Sequence, residues 1–252
     1  MARITLEICA GSIDDAIAAE AGGADRVELN SSLMLGGLTP SLGTLVEARR
    51  ALRIPICCMV RPRGGGFCYT AAEMKTMERD VELAVAHGAD GVVFGILTGD
   101  GRIDAPRTRR LIALAGGREV VFHRAFDVVP DPFAALEQLI DLGVTRILTS
   151  GQEATPYNGA ALIRRLIERA AGRIEILPGG GIDRFNLADV IARTGCTQIH
   201  MALHRSRTDT SAAARPHVYF GGELRPPETE YAVIDTEAVR CVADELGRLP
   251  AP

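Results

Sequence analysis

The chain has 252 residues, 47% of them hydrophobic, with a net charge of -4. That length and apolar fraction support a large buried core, while the mildly acidic balance and the lack of aromatic-basic motifs exclude a nucleic-acid face or an anionic-membrane face. No run approaches the roughly 18 apolar residues a bilayer span needs. Met1-Ala2-Arg3 leads directly into a strand, so a soluble cytoplasmic protein is expected.

Strand-like and helix-like runs alternate from the start. Ile4 to Cys9 reads as a first strand and Ser12 to Ala21 as a helix, after which Gly23-Ala24-Asp25-Arg26-Val27-Glu28-Leu29 sets a glycine at the helix end and begins a second strand. The same phrase returns at Gly88, Gly143 and Gly195. Between the copies lie Ile56 to Arg61, Val120 to His123 and Ile174 to Leu177, all strand-like. Further helices are expected at Ser41 to Ala51, Thr70 to Ala86, Ala105 to Ala115, Pro132 to Leu142, Gly159 to Ala171, Arg184 to Arg193 and Thr236 to Gly247. Eight strands alternating with helices over 252 residues predict a single α/β domain spanning 1–252, a (β/α)8 TIM barrel. The stretch 204–230, rich in proline and glycine, is the irregular exception before the last helix: a loop, a lid over the eighth strand, or a subunit contact in a homo-oligomer.

Strand side chains alternate between faces. Ile4, Leu6, Ile8, Val27, Leu29, Ile56, Cys58 and Val60 fall under the helices, which sends Glu7, Cys9, Arg26, Glu28, Asn30, Arg61, His123 and His200 toward the axis. The links after the strands are long and those before them short, so the chemistry is expected at the C-terminal strand ends.

Arg61-Pro62-Arg63-Gly64-Gly65-Gly66-Phe67 closes the third strand, and two arginines beside three glycines suit forked recognition of a carboxylate or phosphate; the alternative is a glycine loop whose arginines pair with nearby acids. His123-Arg124-Ala125-Phe126-Asp127 ends the fifth. There His123 reads as a general acid/base with Asp127 orienting the imidazole or an arginine, against a core histidine and a capping aspartate. Glu7 and Glu28 read as an acid/base pair, as oxygen ligands for a hard cation, or as counter-charges to Arg61 and Arg63. Thr149-Ser150-Gly151 and Gly179-Gly180-Gly181, after strands six and seven, offer backbone N–H groups to an anion, unless they are tight turns alone; Arg124 is a further candidate anion-binding residue. The six cysteines show no CxxC or zinc spacing and no disulfide framework, and only Cys9 ends a strand on the interior side.

Taken together, Leu6-Glu7-Ile8-Cys9, the Gly23 phrase, Gly36-Gly37-Leu38-Thr39-Pro40-Ser41, the Arg61 to Phe67 run with Tyr69, Phe122 to Asp127, Leu148 to Gln152 and Pro178 to Ile182 resemble the CutC family. The resemblance implies a barrel tied to copper homeostasis, with Cu(I) bound by cysteines and no established catalytic activity. Cys9 matches the family cysteine that ends strand one, and Cys68, His200 and Met201 are further candidate ligands. Asn30 stands where many relatives carry a second cysteine, and an amide there weakens a two-thiolate Cu(I) site. His200-Met201-Ala202 also departs from the small, serine-containing run of relatives. Two readings result: copper handling through Cys9, or an enzyme (lyase, isomerase or hydrolase) acting on a small anionic substrate, phosphorylated or not, through Arg61, Arg63, His123 and Glu7/Glu28.

Overall fold

The computed structural model describes residues 3–221 and 226–249. Its strands β1 (Thr5–Ala10), β2 (Arg26–Leu29), β3 (Ile56–Met59), β4 (Gly91–Phe94), β5 (Glu119–Phe122), β6 (Arg146–Thr149), β7 (Glu175–Pro178) and β8 (Gln198–Met201) form one parallel sheet in the order β7-β6-β5-β4-β3-β2-β1-β8. A parallel bridge between Gly179 and His200 closes it into a barrel. Around it lie α1 (Ile13–Gly22), α2 (Leu42–Ala51), α3 (Ala71–Ala86), α4 (Ala105–Ala115), α5 (Pro132–Leu142), α6 (Ala160–Ala170), α7 (Leu187–Thr194) and α8 (Thr236–Arg248). This is the expected (β/α)8 arrangement. None of these helices is long and apolar enough to cross a membrane.

The glycine phrase works as a hinge from helix to strand. Gly23, Gly143 and Gly195 all cap their helices in the left-handed conformation, where a side chain would be strained. The strand after each cap then enters the sheet with its alternation already set. Ile4, Leu6, Ile8, Val27, Leu29, Ile56, Cys58 and Val60 are buried between sheet and helices, whereas Cys57, Met59, Val93, Val121, Leu148 and Leu177 make a separate apolar plug on the axis.

Below that plug the barrel floor is ionic. Arg26 pairs with Glu7 and donates to Gln198 Oε1 at 3.0 Å; Gln198 donates to Glu175 Oε2 at 3.2 Å; and Arg146 joins Glu175 at 2.6 Å to Glu119 at 3.1 Å. Buried charges on the axis of a barrel persist only when paired in this way. Above the plug, the strand ends open into the mouth.

The stretch 204–230 is only partly irregular. Its start pairs with the residues that follow it as an antiparallel ribbon, β9 (His204–Thr208) with β10 (Glu230–Ile234). Both faces of β9 are largely exposed, so no apolar alternation marks it in the sequence; pairing rather than burial sets its register. Val218 to Phe220 is exposed and forms no strand, and Gly222, within the expected loop or lid, lies outside the described residues. The ribbon is tied down where Ile234 N–H donates to Asp15 Oδ1 at 2.7 Å, a buried bond to α1.

Candidate functional site

A cavity of about 400 Å³ opens at the C-terminal strand ends, with Cys9, Glu28, Asn30, Arg61, His123, Arg124, His200 and His204 among its lining residues. This is the end of the barrel at which the long βα loops place chemistry. Its two sides differ in character.

On the β8–β1–β2 side, strand parity turns Cys9, Glu28 and His200 toward one another. The Cys9 sulfur, a Glu28 oxygen and a His200 ring nitrogen all lie within 4.8 Å of each other. His200 Nδ1 is 2.7 Å from Glu7 Oε1, while Nε2 sits 4.0 Å from Glu28 Oε2. Burial pushes the Glu7 carboxyl up, but Arg26 and His200 overcome it and hold the group at about 2, so it is an ionised acceptor and Nδ1 is the donor. That bond leaves Nε2 facing Cys9 and Glu28, the orientation a carboxylate imposes on a metal-binding histidine. Asn30 Nδ2 donates to Glu28 Oε2 at 2.8 Å and lies 3.5 Å from the Cys9 sulfur. Glu28 Oε1 is buried without a partner.

The electrostatics of this cluster are tightly linked. Burial raises the Glu28 carboxyl, only partly offset by His200. It also raises the Cys9 thiol, helped by Glu28 and Glu7. Burial alone would strip the proton from His200, yet Glu28, Cys9 and Glu7 outweigh it and lift that imidazole well above its ordinary range. The cluster on its own is therefore a thiol beside an imidazolium held by carboxylates. One thiolate, one imidazole and one carboxylate with a free oxygen form a donor set that fits a first-row transition metal, with the sulfur as its soft element.

The other side of the mouth is basic. Arg61 is 6% exposed; it donates to Leu35 O at 2.8 Å, Gly37 O at 3.2 Å and Gly65 O at 2.8 Å, and its Nε–H is buried without a partner. His123 accepts the Ala125 N–H on Nδ1 at 3.1 Å, which leaves its proton on Nε2, also buried and unpartnered. Burial, reinforced by Arg61, drives the imidazole down to about 3. His123 is thus a neutral hydrogen-bond donor at neutral pH. Gly95 makes room for the ring, since a Cβ there would lie 2.5 Å from it.

Several residues singled out in the sequence take different partners from those expected. Of the two partners expected for it, Asp127 takes the arginine, Arg124, and not the His123 imidazole. Its carboxylate accepts from Thr149 Oγ1 at 2.5 Å, Ser150 N at 3.0 Å and Ser150 Oγ at 2.9 Å, and it pairs with Arg124 at 2.8 Å. The reason is the short helical turn 124–128, which swings Asp127 over the end of β6. Glu7 and Glu28 neutralise neither Arg61 nor Arg63: register pairs Glu7 with Arg26, one strand over. Arg63 turns away to Glu73 at 2.5 Å, where Glu73 also completes the capping box of α3 with Thr70. Cys68 is exposed on the same loop and Met201 packs under the helices, so neither joins Cys9. Gly179 lies beneath His200, where a Cβ would come 2.9 Å from the His200 Cβ, and its amide donates to Thr149 O at 3.0 Å; only Gly180 and Gly181 reach the cavity.

His200 is central to the cluster, and its inward parity on the eighth strand was the available signal. The partnership of Glu7 with Arg26 and His200 had none, because strand stagger, absent from any local motif, decides it.

Fold and site together define a (β/α)8-barrel protein with a mixed sulfur, nitrogen and oxygen ligand cluster in its mouth. The CutC family model matches residues 4–205, and the chain belongs to the CutC family. It is 53% identical over 246 residues to a family protein CutC of Treponema denticola, covering 98% of this chain and 100% of that one. It is 44% identical over 235 residues to the human copper homeostasis protein cutC homolog, covering 93% of this chain and 86% of the relative. A crystal structure from Streptococcus agalactiae, described as a copper homeostasis protein CutC, superposes with a TM-score of 0.75 at 38% identity, covering 78% of this chain and 97% of the other. An aldolase with a TM-score of 0.59 and 17% identity shares the barrel fold.

Proposed function

We propose that this chain binds a copper ion in the barrel mouth through Cys9, Glu28 and His200, as part of copper homeostasis in the cytoplasm. The observation that carries the reading is the convergence of those three ligand atoms within 4.8 Å, backed by the Glu7 carboxylate on the far ring nitrogen of His200. Thiolate and imidazole both suit copper, and the unpartnered Glu28 oxygen supplies a negative charge beside the cation. The name of the human relative points the same way. With Asn30 in place of a second sulfur, discrimination of Cu(I) from harder ions rests on Cys9.

The test is an anaerobic Cu(I) titration of the reduced protein against a chromophoric chelator, with Zn(II) as competitor. Wild type should take one ion per chain, and Cys9→Ser should lose affinity on the order of 100-fold while remaining folded. Full Cu(I) affinity in Cys9→Ser would overturn the assignment.

A further inference from the structure

The basic half of the mouth does not belong to the metal cluster. β5 lies across the barrel from β1, and the groups concerned follow β3, β5 and β7 rather than β8, β1 and β2. Arg61 and His123 are each more than nine-tenths buried, each lines the cavity, and each holds an N–H without a partner. Among the described residues Arg61 has no carboxylate within ion-pair distance; three backbone carbonyls accept its N–H groups, which leaves a buried positive charge with no counter-charge beside it.

Arg124 supplies the exposed part of this wall. Its Nε is fixed by Asp127 at 2.8 Å and its Nη2 by the Ser150 hydroxyl at 2.7 Å, which leaves Nη1 unbonded beside Gly180. A Cβ on Gly180 would lie 2.7 Å from that nitrogen, and Gly180 has φ of +101°, so both the contact and the backbone call for glycine. The amides of Gly180 and Gly181 donate to no acceptor among the described residues. Two successive left-handed glycines with free N–H groups beside an unbonded guanidinium nitrogen match the geometry that receives oxyanions.

We propose that this half of the mouth is an oxyanion subsite, which takes the phosphate or carboxylate end of a small organic molecule on Arg124 and the Gly180–Gly181 backbone, with Arg61 and His123 as further donors. The carbon body of such a ligand would lie against Met59, Phe67 and Leu148 in the same cavity. About 400 Å³ suits a metabolite rather than a polymer. None of the donors is in the Cys9–Glu28–His200 cluster, so the subsite stands whether or not a metal binds.

Isothermal titration of the full-length protein with inorganic phosphate and, separately, with malonate tests this, in metal-free and metal-loaded samples. Saturable 1:1 binding of at least one probe is expected, weakened tenfold or more in Arg124→Gln, and the tighter probe names the headgroup. Arg124→Lys, which keeps the charge but loses the paired bonds to Asp127 and Ser150 that hold Nη1 beside Gly180, should weaken binding at least threefold and serves if Arg124→Gln does not fold. Failure of both probes to saturate the wild type, or wild-type affinity in both variants, would overturn the subsite. Phosphate or malonate binding that persists in a protein unable to bind copper would remove the metal reading alone.

Discussion

At the residue scale, the two interior histidines show how neighbours decide what one side chain can do. His123 sits against Phe67 and near Arg61, and is held neutral down to about pH 3. An unfolded histidine titrates near 6.5, so between 6.5 and 3 the unfolded chain binds a proton the native protein refuses, and stability falls as pH falls. Wild type should lose about 2 kcal/mol more than His123→Gln between pH 7 and pH 5, read as the difference in urea unfolding free energies. Equal slopes would place the imidazole in a more polar setting than this one. His200, raised rather than lowered, titrates above that window. Its orientation depends on Glu7. Glu7→Gln keeps the shape but removes the charge facing Nδ1, and Cu(I) affinity should drop roughly 10- to 100-fold with Cys9, Glu28 and His200 all in place. Unchanged affinity would show that Glu7 serves only the barrel floor.

At the scale of elements, the ribbon β9–β10 and the loop after β5 are where local sequence was least informative. The ribbon carries little buried surface of its own and depends on the Asp15 carboxylate, which accepts Ile234 N–H at 2.7 Å and Gly11 N–H at 3.1 Å. Asp15→Ala should cost about 1–3 kcal/mol by leaving that buried amide unpaired, and limited proteolysis should then cut within 204–230 faster. A melting curve and cleavage rate equal to wild type would show that the ribbon is held elsewhere. The helices were legible to within a residue or so at most ends, although α7 begins at Leu187 rather than Arg184, and Thr70, Asp131 and Asp235 each cap a helix start by accepting backbone N–H groups. The turn 124–128 was not, because its form depends on what Asp127 meets on β6.

At the scale of the whole molecule, the barrel has a weak seam. β7 and β8 join through the single Gly179–His200 bridge among the described residues, supplemented at the floor by the Gln198–Glu175 bond of 3.2 Å. Hydrogen exchange under native conditions should therefore be faster at the amides of β7 and β8 that face the seam than along β1–β2, where four residue pairs stand in register. Uniform protection around the barrel would mean that closure is tighter than this geometry implies. Since His200 sits at the seam, copper binding should slow exchange there first.

The sequence by itself determined the repeat, the face each strand residue takes and the family, because glycine caps, capping boxes and period-two alternation are local signals written over a few residues. It placed Cys9, Glu28, Arg61, His123 and His200 inside the barrel for the same reason. Only the tertiary structure decided who meets whom. Glu7 reaches Arg26 and His200, Asp127 reaches Ser150, and Arg63 leaves for Glu73, because those pairings depend on strand stagger and on the turn of a loop, and a charged side chain takes the nearest opposite charge or donor in space. Burial, which leaves His123 neutral, and the Glu28 and Glu7 carboxylates, which keep His200 protonated against it, likewise act only once the barrel has closed around them.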